Sequence, residues 1–241
     1  GQSNMKRVGL ECGGKSPQIF MSDLPGFDHA IDSAIEGIYC NMGEVCSAGS
    51  RLLVQRPIYD EFIQRFIEKG QTTYQAGNPL DPATNMGPLV DYESQQRVLG
   101  LIESGRREGA TLHFGGDVPA HMADGAYINP TLFGDVNNNM TIARQEIFGP
   151  VASVIPFDTA AEAIAIANDT IYGLAAGIWT SDINRAFRLV KEIEAGVVWV
   201  NNYEDGDMTQ PFGGYKQSGH ARDKCMESLK SYTQNKSAWI R

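Results

Sequence analysis

Cys46 stands in the run Asn41-Met42-Gly43-Glu44-Val45-Cys46-Ser47-Ala48-Gly49-Ser50-Arg51. Small neighbours let a backbone approach a ligand closely, and a loop between a helix and a strand is a place where reactive side chains are displayed. A thiolate there attacks a carbonyl carbon, whereas a buried thiol is one more small hydrophobe. The loop alone leaves both readings open. Glu11 precedes Gly13-Gly14-Lys15, where a carboxylate facing a cleft activates water and one facing solvent does nothing. In Gln145-Glu146-Ile147-Phe148-Gly149-Pro150 a carboxylate and a ring alternate before a rigid Gly-Pro. That arrangement suits a grip on a flat, hydroxylated ligand, or simply a Phe packed in a turn. Glu204, Asp205 and Asp207 put three carboxylates within four positions, either to meet a cationic group or to form a solvated acidic loop.

Regular elements must hold these residues. Apolar spacing predicts helices over 29–39 (capped by Asp28), 59–73, 92–108, 160–168 and from Asp182 to about 194. Strands are expected at 6–10, 51–55, 111–114, 151–157, 175–180 and 197–200, with 117–126 a polar loop. The recurring order of helix, glycine and apolar strand predicts an α/β fold, a mostly parallel sheet flanked by helices. After a last helix containing Cys225, residues 231–240 read as an isolated strand. Such a tail pairs either with its own sheet or with another subunit.

Composition narrows the partners. The 241 residues carry 20 Lys and Arg against 29 Asp and Glu, a net charge of −9 that argues against nucleic acid and anionic membranes. No apolar run is long enough to span a bilayer, and no secretory signal opens the chain. Cys12, Cys40, Cys46 and Cys225 lack metal-site spacing, so no metal is expected. They read as reduced thiols of a cytoplasmic protein, with all but Cys46 inert. The four histidines show no motif linking them to Cys46, which disfavours a cysteine hydrolase.

Together, four segments resemble the aldehyde dehydrogenase superfamily: 10–17 (LECGGKSP), 43–51 (GEVCSAGSR), 146–150 (EIFGP) and 211–219 (PFGGYKQSG). The resemblance covers essentially the whole chain and corresponds to the C-terminal, catalytic half of a longer protein. It implies Cys46 as nucleophile and Glu11 as general base. It also implies Glu146 on the nicotinamide-side ribose, Phe148 near the nicotinamide and Phe212 in the substrate tunnel. The implied chemistry is aldehyde oxidation with NAD or NADP through a thiohemiacetal and a thioester. The dinucleotide-binding region and a side-chain oxyanion donor would come from the other half, so this chain alone is expected to turn over little. The implied division is 1–12 as the end of the cofactor-binding domain, 13–226 as the catalytic domain and 227–241 as an oligomerisation tail that makes a homo-oligomer. Wording around Asn201-Asn202-Tyr203 and Asp207-Met208 resembles enzymes acting on aminoaldehydes such as γ-glutamyl-γ-aminobutyraldehyde, with Glu204 and Asp205 meeting the ammonium. Betaine-aldehyde enzymes and coenzyme A-acylating relatives are the alternatives, the latter disfavoured by a hydrolytic Glu11. Where the family often has Gln, this chain has Glu44, whose charge would raise the Cys46 pKa if it faced the thiol. It is expected to point away or to be hydrogen-bonded.

Overall fold

A computed structural model describes residues 4–241. Four-residue β1 (Pro17–Phe20) and β2 (Arg51–Gln55) lie side by side at the centre of a seven-stranded sheet. The others are β3 (Thr111–Phe114), β4 (Thr131–Gly134), β5 (Val151–Phe157), β6 (Ala175–Trp179) and β7 (Val197–Val200). Their spatial order is β3-β4-β5-β2-β1-β6-β7, and every pairing is parallel except that of β3 with β4. Strand alternation divides the core. Ile19, Leu53, Ile155 and Ile178 face one side, while Phe20, Leu52, Val54, Val154 and Trp179 face the other. Helices α1 (Phe27–Tyr39) and α2 (Tyr59–Thr73) cover the second face. The first is covered by α3 (Tyr92–Arg107), α4 (Thr141–Arg144), α5 (Ala160–Asn168) and α6 (Ile183–Glu192).

Several expectations change. Residues 6–10 form no strand; the segment is exposed and touches the 219–233 stretch, Arg7 donating to the Thr233 carbonyl and the Leu10 carbonyl accepting from His220 and Ala221 N–H. A strand needs a continuous ladder, and the 219–221 segment beside this one forms only an isolated bridge at Glu11. The tail likewise carries no strand: a 3₁₀ turn (Met226–Tyr232) follows Cys225, replacing the expected last helix, and residues 233–241 are irregular and exposed. Asp28 does not cap α1. Gly26 occupies that position, and Asp28 sits in the first turn, paired with Arg65. Asp182 does cap α6, accepting from Asn184 and Arg185 N–H. Of the proposed 1–12 segment, residues 1–3 lie outside the described residues. Among the described residues no helix is long and apolar enough to cross a membrane, and no cluster of His, Cys, Asp or Glu has the makings of a metal site.

Candidate active site

The sheet's parallel strands bring their amino ends to one edge, and the loops feeding those ends carry the chemistry. Residues 13–16 lead into β1, 46–50 into β2 and 145–150 into β5. Ligands of open α/β sheets ordinarily lie beyond the carboxyl ends of the strands, so this site is at the opposite edge. The chain after β7 also returns to it. Tyr203 lies against Gly37 and Gly177 on the sheet face, where a Cβ at either glycine would fall 2.7 Å from its ring. By Gly213 the segment has reached Gly196, just ahead of β7.

Cys46 follows the carboxyl end of α1 through a 3₁₀ turn (Cys40–Gly43) that holds Asn41 and Met42 at positive φ. A helix carboxyl end disfavours a thiolate, so activation by a helix dipole is ruled out. Gly43 is required here. Its φ is +69°, and a Cβ would stand 2.3 Å from the Gly149 carbonyl, which locks the Cys46 turn against the 145–149 loop. Ser47 is buried and held at both ends, its Oγ donating to Glu204 Oε1 at 2.6 Å and its carbonyl accepting from Tyr203 Oη at 2.6 Å. Cys46 itself is half-buried. Burial pushes its thiol up from the ordinary range. The backbone N–H groups of Ser47 and Cys46 oppose that, and the charges of Glu204 and Glu11 add to it. Glu44 plays no part, its Oε1 accepting from Val90 N–H at 3.2 Å, away from the thiol.

Glu11 is exposed and bridged to Gly219. Its carboxylate lies by Gly213, where a Cβ would meet Oε1 at 2.8 Å, next in sequence to Phe212. Burial raises its pKa, Asp223 raises it further and Arg222 opposes both. Glu146 is half-buried over Gly13 and Gly14: Oε1 accepts from Gly14 N–H at 3.2 Å, and a Cβ on Gly13 would sit 1.8 Å from Oε2. Its carboxyl is raised by burial and eased by Gly14 N–H, Lys15 and Arg97. The Cys46 carbonyl lies where a Cβ on Gly14 would go, at 2.7 Å, so two adjacent glycines, two residues beyond Glu11 in the chain, bring Glu146 and the Cys46 loop together. Phe148 is exposed with φ +50°, its loop tied to α3 by Arg97, which donates to the Ile147 carbonyl at 2.5 Å. An acceptor-only carboxylate beside an outward-facing ring fits a ribose diol and the flat heterocycle it carries, so these residues suit the nicotinamide end of a dinucleotide.

The acidic loop divides. Glu204 reaches the Cys46 loop, whereas Asp205 lies with Trp199, Asp207, Phe212 and Lys224 along a groove of about 300 Å³. Three participants were absent from the sequence reading. Ser47 and Tyr203 have roles set by contacts across 156 positions, for which sequence spacing gives no signal. Lys15 carried a signal, a lysine directly after two glycines in a buried lead-in. Its ammonium is wholly enclosed and pushed down to about 7 by burial and by Arg51, with Glu146 acting against them.

A sequence pattern described as "Aldehyde dehydrogenase family" matches residues 1–238. The chain belongs to that family. It is 47% identical over 240 residues to the NADP/NAD-dependent aldehyde dehydrogenase PuuC of Escherichia coli (strain K12), covering all of this chain and 48% of PuuC. Among solved structures, P. syringae AldA indole-3-acetaldehyde dehydrogenase, in complex with NAD+ and IAA, superposes with a TM-score of 0.96 at 53% identity. The overlap spans 100% of this chain and 48% of that one. The gamma-glutamyl-gamma-aminobutyraldehyde dehydrogenase of Burkholderia cenocepacia J2315 gives 0.93 at 51% identity, over 97% and 47%. The chain thus spans about half the length of the aldehyde dehydrogenases it matches.

Proposed function

We propose that this chain supplies the nucleophile and the general base for NAD(P)-dependent oxidation of an aldehyde to a carboxylic acid. The reading rests on the meeting of the Cys46 loop and Glu146 at Gly14 and Gly13, with Glu11 near enough for its charge to act on the Cys46 thiol. The Cys46 thiolate adds to the aldehyde carbon, forming a C–S bond and placing the negative charge on the former carbonyl oxygen. The backbone N–H groups of Cys46 and Ser47, which favour the thiolate, would also favour that developing charge. When bound, the oxidised nicotinamide accepts the hydride that the collapsing oxyanion expels, leaving a thioester on Cys46. Glu146 would hold the ribose hydroxyls and Phe148 would flank the ring. Glu11 then takes a proton from water as its oxygen attacks the thioester. The C–S bond breaks and the acid leaves. A carboxylate with raised proton affinity is the better base for that step.

The substrate proposed is an aminoaldehyde of the γ-glutamyl-γ-aminobutyraldehyde kind, which carries both an α-ammonium and a carboxylate. Asp205 and Asp207 in the groove beside Phe212 support an ammonium-bearing substrate over an uncharged indole. Phe212 lines the approach, and the carboxylates proposed to meet an ammonium are Asp205 in that groove and Glu204 at the Cys46 loop. The compartment proposed is cytoplasmic and the assembly a homo-oligomer joined through residues 227–241, whose Trp239 and Ile240 are 98% and 95% exposed. Turnover is assigned to the full-length enzyme, in which this chain is the C-terminal half; alone it should be nearly inactive. Steady-state kinetics of that enzyme on a panel of ω-aminoaldehydes and uncharged aldehydes, with both cofactors, test the assignment. The highest kcat/KM should fall on the aminoaldehydes, and a preference for uncharged chains of equal length would reject the substrate class.

A further inference from the structure

The clasp on Ser47 joins two functions that the mechanism treats separately. Tyr203 and Glu204 are consecutive, and they take hold of the residue after the nucleophile by its carbonyl and its hydroxyl. Glu204 does so at φ +59°, a left-handed conformation that a Glu rarely adopts and that here carries its carboxylate to Ser47. Ser47 follows Cys46 directly, and its backbone N–H favours the Cys46 thiolate. Glu204 is an exposed residue with Oε1 engaged by Ser47, which leaves its second carboxylate oxygen to pair with a cation.

Resting on the aminoaldehyde reading, we propose that Glu204 is a positioning residue that couples substrate charge to the nucleophile. Fixed to Ser47, its carboxylate opposes formation of the Cys46 thiolate until a cationic group of the substrate pairs with its second oxygen. The groups facing the thiol fit this division. From the segment entering β1 comes Glu11, and from the segment after β7 come Glu204 and the Tyr203 phenol. Both carboxylates disfavour the thiolate. Cys40, at the end of α1, feels Glu204 and Glu36 in the same direction. Glu11 must stay free to act on water, so Glu204 is the carboxylate whose neutralisation by substrate costs the reaction nothing. An uncharged aldehyde would leave the opposition in place.

The test is the pH dependence of Cys46 alkylation by iodoacetamide in the 241-residue chain, read at the Cys46 peptide by mass spectrometry, with butylammonium as the cationic probe and butanol as the neutral control. Glu204→Gln should move the alkylation midpoint to lower pH and speed alkylation at neutral pH by about three- to five-fold, the effect of removing one charge a few ångströms away across water. Butylammonium should accelerate the wild-type reaction by a similar factor, leave Glu204→Gln unchanged and have no counterpart with butanol. An unchanged midpoint in Glu204→Gln overturns the link between carboxylate and thiol, and a wild-type thiol indifferent to butylammonium overturns the link to substrate. If Glu204→Gln fails to fold, Ser47→Ala frees the carboxylate while retaining its charge, and a midpoint identical to wild type there also overturns the proposal. Because alkylation needs neither aldehyde nor cofactor, its outcome is independent of the substrate panel, and failure of either reading can be told from failure of the other.

Discussion

Cys46 and Glu11, the proposed nucleophile and base, approach the same edge of the sheet, but they are held in different ways. The Cys46 loop is built into the fold. Ala48 and Gly49 donate to the Val45 and Gly37 carbonyls, Ser47 is clasped from both ends, and the loop runs directly into the buried start of β2. Glu11 sits on an exposed segment pinned from a distance. Cys12 N–H donates to the Ser218 carbonyl, Ser218 Oγ donates to the Gly13 carbonyl at 2.7 Å, and the Leu10 carbonyl takes two N–H groups from 220–221. The difference follows the chemistry. A nucleophile must meet one carbon in one geometry, whereas a base that works through water tolerates a looser mount. The base therefore depends on the 211–221 run, and the thiol does not.

Three substitutions break or sharpen that contrast. The largest effect is expected from Arg51→Met. This wholly buried guanidinium donates to the Lys15, Ile166 and Ala167 carbonyls and to Asn138, joining the lead-ins of β1 and β2. Its loss strands those acceptors and should cost about 3 kcal/mol or more in urea unfolding, with the thiol environment lost along with stability. Ser218→Ala should be milder. It removes the bonds to the Gly13 carbonyl and from Gly173 N–H, destabilising by about 1–2 kcal/mol. Deacylation should slow while iodoacetamide still titrates Cys46 as in the wild type; a matching change in the thiol would erase the distinction between the two mounts. The smallest effect belongs to Asp223→Asn. Asp223 raises the Glu11 pKa, so its removal lowers it. The active, deprotonated base then persists to lower pH, and the acid limb of the deacylation profile moves down by less than about one pH unit. Movement upward would contradict the assigned electrostatics.

Part of this arrangement was legible in the sequence. Five of the seven strands fall on the expected segments, because each is a distinct apolar run ending near glycine or a polar turn. The two missed strands, Pro17–Phe20 and Thr131–Gly134, are four residues long and buried on both faces, so they show no alternation. Each also follows a Pro- or Gly-marked stretch that reads as loop. The strands expected at 6–10 and 231–240 have suitable composition, but among the described residues they find only scattered bonds and no continuous ladder. Cys46 and Glu11 stand out beside small residues, and Glu146 and Phe148 by alternating ahead of Gly149-Pro150, though the roles of all four came from the family resemblance. The clasp does not, since Ser47 and Glu204 meet only after the chain beyond β7 turns back across the sheet. The acidic loop was visible as charge, but its division between the thiol and the Trp199 groove depends on the left-handed turn at Glu204.

The central claim is that Cys46 carries the acyl group and Glu11 releases it. The most direct measurement is the intact mass and peptide map of the full-length Glu11→Gln enzyme after reaction with aldehyde and NAD+. The account predicts a stable acyl adduct on the Cys46 peptide, absent from Cys46→Ala and short-lived in the wild type, with turnover slowed by about 10²- to 10⁴-fold. An adduct on another residue, or a Glu11→Gln enzyme that clears its thioester as fast as the wild type, would contradict it.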